Sequence, residues 1–218
     1  MTIASRSLTI IIATFTACMG IATADAAEPA GRFEFTPFAS YLMGGDFEEQ
    51  DGDLEFDLES AGAFGFTLNG PAGASWPDGQ WEFLYTHQGT EFDTRGTFGS
   101  NSLVDIDIDY VQFGGVYLFE GESVKPFIGM TLGLSRFDPR PGEFSAEEFF
   151  SASLGSGVKL NAGGRVGVRL EGRVYTSFID SNSSIFCESD FGAANCLIIV
   201  DSSTLVQWEA RAGVVFRF

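Results

Sequence analysis

Charged side chains recur at alternate positions within two long apolar stretches. Residues 165–173 are Arg-Val-Gly-Val-Arg-Leu-Glu-Gly-Arg, and residues 207–217 are Gln-Trp-Glu-Ala-Arg-Ala-Gly-Val-Val-Phe-Arg. A β-strand points successive side chains to opposite faces, so each stretch has one apolar and one charged face. Carboxylates and cations that share such a face can pair with each other or line a path for ions. With similarly placed residues elsewhere, the charged set is Glu34, Lys159, Arg165, Arg169, Glu171, Arg173, Glu209 and Arg211.

The single histidine offers little support for catalysis. His87 is flanked by Thr86 and Gln88, and no serine lies two residues away to serve as a nucleophile. His87 shares strand parity with Trp81 and Tyr85, which favours a place at a membrane interface. The chain contains no phosphate-binding loop, zinc-ligand spacing or nucleophile elbow. We therefore predict no catalytic residues, no metal site and no cofactor.

Carboxylates form a second group that could do chemistry, since they are the ligands that hard divalent cations prefer. The spacing of an EF-hand is missing, however, and acidic segments are commonly solvated loops. We expect such a loop after the first strand, continued by carboxylates on the outer half of the second strand, and an acidic row on a later strand. These residues are Asp46, Glu48, Glu49, Asp51, Asp53, Glu55, Asp57 and Glu59, and then Asp105, Asp107 and Asp109.

Eight stretches show the alternation of a β-strand, separated by segments rich in Gly, Pro, Asn and Asp. Four connections are long and the three between them are shorter on average. The stretches are 31–43, 54–68, 80–92, 103–119, 124–137, 150–160, 165–178 and 204–218. An even number of strands with long and short connections in turn predicts an all-β, eight-stranded, antiparallel up-and-down barrel that spans a membrane.

The orientation of the apolar faces decides between this barrel and a soluble, lipocalin-like one. Large aromatic residues such as Trp81, Tyr117 and Trp208 share the apolar parity, in numbers that a small calyx could not hold. The opposite parity carries Gly, Ser and a few charges, which suits a narrow polar lumen. One strand leaves two alternatives open: its apolar parity shifts near Asp109, through a bulge or because its outer half lies clear of lipid.

The N-terminus has the pattern of a secretory signal peptide. Arg6 precedes an apolar run, and Ala24-Asp25-Ala26 supplies small residues for cleavage. We predict a signal peptide at 1–26 and a barrel domain at 27–218. Of the three cysteines, Cys18 would leave with the signal, so Cys187 and Cys196 form an even pair in an exported chain and predict a disulfide. The net charge of −18 argues against a nucleic-acid partner.

The whole pattern resembles the small outer-membrane β-barrels of Gram-negative bacteria, namely the opacity-protein, OmpA-domain and OmpX types that are often labelled porin-like. The resemblance rests on the alternation and on the terminal Val-Val-Phe-Arg-Phe of residues 214–218. It implies that Phe216 and Phe218 form a C-terminal assembly signal for the barrel-assembly machinery. It also implies an outer-membrane location, with lipid and lipopolysaccharide as partners.

For function, we expect a non-enzymatic protein with a structural or surface-interaction role. Side chains would fill its lumen, because an eight-stranded barrel is only just wide enough for them, and its long loops would face outside. The alternative is a narrow, porin-like channel for small or apolar solutes. A barrel enzyme that modifies lipid is a third hypothesis. The extracellular ligand cannot be named from the sequence.

Overall fold

The computed structural model describes residues 32–44, 46–47, 56–93, 103–140, 146–179, 184–190, 193–199 and 204–218. The predicted signal peptide at 1–26 and most of the acidic segment after the first strand lie outside these ranges. No helix among the described residues is long and apolar enough to cross a bilayer. The strands are β1 (Glu34–Met43), β2 (Asp46–Phe47), β3 (Phe56–Leu58), β4 (Ala61–Pro71), β5 (Gly79–Asp93), β6 (Leu103–Leu118), β7 (Val124–Arg140), β8 (Glu147–Leu160), β9 (Val166–Phe178), β10 (Ser184–Asp190), β11 (Ala193–Ile199) and β12 (Thr204–Arg217).

Eight of these strands close into an antiparallel barrel. Around the ring, β1 is followed by β4, β5, β6, β7, β8, β9 and β12. The ring closes where β12 pairs with β1, with Glu34 opposite Arg217 and Met43 opposite Trp208. Each strand of the barrel is adjacent to its neighbour in the chain, so the topology is up-and-down. The predicted fold class is confirmed.

The two rims of the barrel differ in the length of their connections. Residues 72–78, 119–123 and 161–165 make short connections at the rim that also holds Phe33 and Phe218; we call this the short-loop end. The opposite rim, the long-loop end, carries two additional strand pairs, β2–β3 and β10–β11. Strands β2, β10 and β11 arise in segments that the alternation had assigned to loops. Strand β3 lies within the predicted strand 54–68, which the structure divides at residues 59–60 into β3 and β4.

The β10–β11 hairpin places the two remaining cysteines at one register position. Cys187 is paired with Cys196 across the hairpin. Directly opposed residues of an antiparallel pair have Cα atoms about 4.5–5.5 Å apart, which is within the range that a disulfide spans. The disulfide itself stays a prediction.

Strand β6 resolves the shift of apolar parity near Asp109. Its pairing with β5 and β7 continues in one register from Asp105 to Tyr117, so there is no bulge. Ile106 and Ile108 are buried inside the barrel, whereas Phe113 is exposed on its exterior. In the outer part of β6 the apolar residues therefore face the lumen, and in the inner part they face outward. The reason is that the outer part lies beyond the hydrocarbon.

Pro37 interrupts the seam between the first and last strands. The pairing of β1 with β12 passes over Thr36 and Pro37 and then resumes in the same register at Phe38 opposite Gly213. Proline has no N–H to donate to a ladder, so the seam has a local gap without a shift.

Large apolar side chains cover the outside of the barrel wall. Phe113, Met130 and Trp208 are each exposed by about 59–60 %. The inward positions carry small or polar residues, as in Gly129, Thr131 and Gly133 of β7. An exterior this apolar is unfavourable in water and is the surface that a bilayer requires.

Candidate functional site

The middle of the lumen contains two carboxylates surrounded by three arginines. Glu82 of β5 accepts from Arg169 and from Arg173 of β9, each at 2.7 Å. Glu171 lies 2.7 Å from both of these arginines and 2.5 Å from Arg211 of β12. All five side chains are at most 2 % exposed. Each charge in this cluster has an opposite charge within hydrogen-bonding distance, which offsets its desolvation.

A second ion-paired group lies nearer the short-loop end. Glu34 pairs with Lys159 and, at 2.8 Å, with the Nε of Arg217. Lys159 also donates to the amide oxygen of Gln80 at 2.7 Å. Arg217 donates further to the carbonyl oxygens of Asn161 and Gly164, at 3.0 and 2.9 Å, in the turn between β8 and β9. This group therefore ties the first strand to the last and both to a turn.

Uncharged polar groups extend the network toward the long-loop end. Tyr175 donates from its hydroxyl to Glu209 at 2.8 Å, and its ring stacks on that of Tyr110 with centroids 4.3 Å apart. Tyr110 in turn donates to Gln207 at 2.5 Å. Arg173 donates to the hydroxyl of Ser153 at 2.7 Å. Each of these side chains is buried within the barrel.

The lumen becomes apolar at the long-loop end. The cluster of buried apolar side chains there includes Ile106, Ile108, Phe137, Ile179 and Leu205. Ile108 is completely buried, and Leu205 is 1 % exposed. The lumen thus changes from charged to apolar along its axis.

Aromatic rings and one glycine shape the charged half. Phe127 lies against the guanidinium of Arg169, and Phe38 against that of Arg211, with ring centroids 4.4 and 4.7 Å from the guanidinium carbons. Gly155 faces the network from β8: a Cβ placed there would lie 2.3 Å from Oε1 of Glu171. A close approach of the wall to a carboxylate held by three arginines requires glycine at this position.

The structure brings together seven of the eight charged residues that the sequence selected. Arg165 is the exception and is a correction to the prediction: it is exposed in the turn before β9. Its parity is that of the lumen, but β9 begins at Val166, so Arg165 lies below the level at which the wall encloses side chains. Two further members, Glu82 and Arg217, were missing from the predicted set although both have the inward parity. Inward parity alone, applied to every charged residue, would have found them.

The short-loop end opens into a cavity of about 600 Å³. Its lining includes Glu34, Lys159 and Arg217 from the second ion-paired group. Asp78 and Glu120 contribute from the short connections at the rim. The cavity carries both signs of charge, so it does not select for one sign by its lining alone.

His87 lies on the outer surface of the wall. Its Nδ1 is 2.9 Å from Oδ1 of Asp109, and its ring centroid is 5.1 Å from that of Phe64. Asp105, Asp107 and Asp109 share the outward face of β6, as their parity predicts. Within the described part of the chain, no three His, Cys, Asp or Glu side chains are grouped so that they could hold a metal ion.

Comparison with known proteins identifies the fold. No protein-family model matches the chain, and no curated protein matches its sequence. Among solved structures, Neisserial surface protein A is 16 % identical, with a TM-score of 0.51 over 85 % of this chain and 97 % of that one. OprG from Pseudomonas aeruginosa is 13 % identical, with a TM-score of 0.56 over 88 % and 97 %. AlkL, solved in lipid bilayers, is 10 % identical, with a TM-score of 0.56 over 92 % and 96 %.

These likenesses share one architecture, and the chain has it too. The closed ring of eight antiparallel strands and the apolar exterior define a small outer-membrane β-barrel. The chain is a protein of this class, located in the outer membrane. Sequence identities this low establish only the fold, so the role of this protein has to be inferred from its own residues.

Proposed function

We propose that this protein is a non-enzymatic barrel with a structural or surface-interaction role, in which a filled lumen supports the loops displayed at the long-loop end. The observation that carries this proposal is the enclosure of the lumen charges. Glu82, Glu171 and Arg173 have side chains that are 0 % exposed. A path for ions needs charged groups that water can reach, and these are in contact with one another instead.

The apolar half of the lumen supports the same proposal. Ile106, Ile108 and Leu205 belong to one buried apolar cluster, which lies nearer the long-loop end than the ion pairs of the lumen. A hydrated ion would have to lose its water to pass between them, which is strongly unfavourable. The two halves of the lumen therefore oppose conduction for different reasons. Side chains fill the charged half, and the apolar half would remove the water from an ion.

The display of loops requires a rigid support at the outer rim. Strands β6 and β7 extend for 16 and 17 residues, well beyond the roughly 9–11 that a membrane strand needs. We assign to this rim the binding of an extracellular partner, with a Cys187–Cys196 disulfide stabilising the hairpin by about 2–3 kcal/mol through loop closure. The C-terminal strand, with Phe216 and Phe218, is in this proposal the segment that the barrel-assembly machinery recognises.

Planar-bilayer recording of the refolded mature chain tests the filled lumen. We expect no stable channel openings from the wild type. A double substitution, Ile108→Gly with Arg173→Ala, removes side chains from both halves, and openings are expected only when both are changed. Stable openings of the wild-type barrel would overturn the proposal and favour a channel for small solutes.

Two further measurements test the structural role and the lack of catalysis. Arg173→Ala should lower the temperature at which the folded, fast-migrating form is lost on an unheated gel, because Glu82 and Glu171 lose a buried counter-charge. His87→Ala should leave the mass spectrum of lipid A from expressing cells unchanged. An altered lipid A would instead point to a lipid-modifying enzyme.

A further inference from the structure

A row of mostly polar and charged side chains crosses the outward face of the barrel on β4 to β8. Two adjacent rows of register partners cross these strands, and they differ in polarity. The row nearer the short-loop end is apolar and aromatic: Phe66, Tyr85, Val111, Leu134 and Phe150. The next row toward the long-loop end is Phe64, His87, Asp109, Arg136 and Glu148. The boundary of the apolar exterior on this side therefore lies between these two rows.

Three residues at this boundary are joined through one carboxylate oxygen. Oδ1 of Asp109 accepts a hydrogen bond from the Tyr85 hydroxyl at 2.8 Å and another from Nδ1 of His87 at 2.9 Å. Phe64 packs against the His87 ring, with centroids 5.1 Å apart. The side chains of His87 and Asp109 are 24 % and 27 % exposed, so both are accessible from outside the barrel. We call Tyr85, His87, Asp109 and Phe64 the boundary cluster.

The bonds within the boundary cluster leave defined groups for a ligand. Because Oδ1 of Asp109 already accepts two hydrogen bonds, Oδ2 is the oxygen to which a ligand would donate. Because Nδ1 of His87 donates to the carboxylate, its Nε2 is the nitrogen available to a second partner. The exposed ring of Phe64 adds an apolar surface beside both. Ionisable groups on a lipid-facing wall are unfavourable unless they have a partner, and for that reason they mark functional sites.

The charge around the cluster selects the kind of partner. Asp107, one position further out on this face, forms an ion pair with Arg140, and Asp138 is paired with Arg136. Both arginines are therefore engaged by other aspartates. Asp109 lies opposite Arg136 in the register, but its ion pair among the described residues is with His87. The three aspartates outnumber the two arginines, so the surroundings of Asp109 are negative overall. An anionic phosphate would be repelled by this carboxylate. A sugar, in contrast, carries several neutral hydroxyls, so that one can donate to Oδ2 and another to Nε2. The C–H face of its ring can pack on an aromatic ring.

We propose that the boundary cluster binds the saccharide headgroup of lipopolysaccharide through its hydroxyl groups. In the outer leaflet, the sugar of this lipid lies where the acyl chains end, which is the level of the boundary between the two rows. Tyr85, with its ring in the apolar row and its hydroxyl on Asp109, spans that level. This proposal goes beyond the filled lumen and does not depend on it, since all four residues are on the outer surface.

The test measures lipid binding by the refolded mature barrel in a micelle whose detergent has no sugar. Deep-rough lipopolysaccharide and its dephosphorylated lipid A are the probes, with phosphatidylglycerol and phosphatidylethanolamine as lipids without a saccharide. Bound lipid per barrel is counted by native mass spectrometry over a titration. We expect both saccharide lipids to bind more tightly than either phospholipid, by at least about tenfold, the factor of one charge-assisted hydrogen bond.

Asp109→Ala should weaken the binding of both saccharide lipids by about tenfold or more, and Tyr85→Phe by a smaller factor. The matched controls are Glu120→Ala, an exposed carboxylate at the short-loop end, and Tyr41→Phe, an exposed tyrosine outside the boundary cluster whose hydroxyl donates to the Ser60 carbonyl. Gel mobility of unheated samples verifies that each variant is folded.

Three results would each overturn the proposal: equal binding by Asp109→Ala and the wild type, equal binding of phospholipids and saccharide lipids, or loss of binding when lipid A is dephosphorylated. The last result would assign the contact to phosphate. None of these results bears on the conductance test of the lumen, so the two proposals can fail separately.

Discussion

The two halves of the lumen are built from the same alternating strands, yet they are filled in different ways. Toward the short-loop end, Glu82 and Glu171 are surrounded by arginines at 2.5–2.8 Å. Toward the long-loop end, Ile108 and Leu205 pack as in the core of a soluble protein. The charged half lies inside an exterior that meets hydrocarbon, and the apolar half inside an exterior that meets water and headgroups.

The difference shows that, at each level of the barrel, only one side of the wall is apolar, either the inner or the outer side. Within the membrane the outside is apolar and the lumen polar, and above it Ile106 faces in while Asp107 faces out. Strand β6 makes this exchange without a bulge. A barrel that extends beyond its membrane thus needs two kinds of core, and the substitutions below test whether the halves respond accordingly.

Removal of the central carboxylate should have the largest effect. Glu171→Ala leaves Arg169, Arg173 and Arg211 with less counter-charge in an enclosed space, and we expect the free energy of unfolding to fall by about 3–5 kcal/mol. Urea titration in lipid vesicles measures this. Glu171→Gln should show most of the same loss, because it keeps the volume but removes the charge. A loss below about 1 kcal/mol would mean that water reaches the network.

A charge placed on the lipid-facing wall should have the next largest effect. Leu132 lies on the outward face of β7. Leu132→Arg should destabilise the barrel in vesicles by about 2–4 kcal/mol, the penalty for a cation near the bilayer midplane. The matched change on the outward face above the boundary, Glu148→Arg, should destabilise by no more than about 1 kcal/mol, the cost of a like charge opposite Arg136. Similar values for the two would contradict the position of the boundary.

A single methyl group tests how tightly the charged half is packed. Gly155→Ala places a carbon against Oε1 of Glu171, so we expect a loss of about 1–3 kcal/mol from overpacking. Gly172→Ala is the control, since the nearest atom to a Cβ there is 4.0 Å away. If Gly155→Ala were as stable as Gly172→Ala, the carboxylate would have room to move.

The smallest effect is expected for an exposed ion pair above the membrane. Arg140 pairs with Asp107, and the Arg140 side chain is 66 % exposed. Arg140→Ala should therefore change the free energy of unfolding by about 0–1 kcal/mol, and the difference should vanish in high salt. A large, salt-independent loss would indicate that this pair belongs to the core.

Alternation alone predicted the eight barrel strands, because a period of two persists over ten or more residues in each. It also identified seven of the nine charged residues that are buried in the described part of the lumen. Parity gives Glu82 an inward side chain, but it does not identify the partner Arg173, which is 91 residues away. Such pairs depend on how far each strand is displaced along its neighbour, and side-chain parity contains no information on that displacement. The prediction for Arg165 was wrong for a related reason, since parity does not show at which residue a strand of the barrel begins.

Parity alone also could not interpret the outer part of β6. The rows Ile106–Ile108 and Asp107–Asp109 fit a bulge or a change of surroundings equally well, and the continuous register selects the second. The boundary cluster was equally hidden. His87 and Asp109 are 22 residues apart in the chain and meet only because β5 and β6 are paired.

The bond between Glu34 and Arg217 joins residues separated by 183 positions. Glu34 belongs to the first strand of the ring to be synthesised, and Arg217 to the last. Until the last strand arrives, Glu34 lacks this partner, and Glu171 lacks Arg211. A half-inserted chain therefore exposes its most hydrophilic groups to the bilayer, and hydrocarbon itself disfavours any intermediate in which the ring is still open.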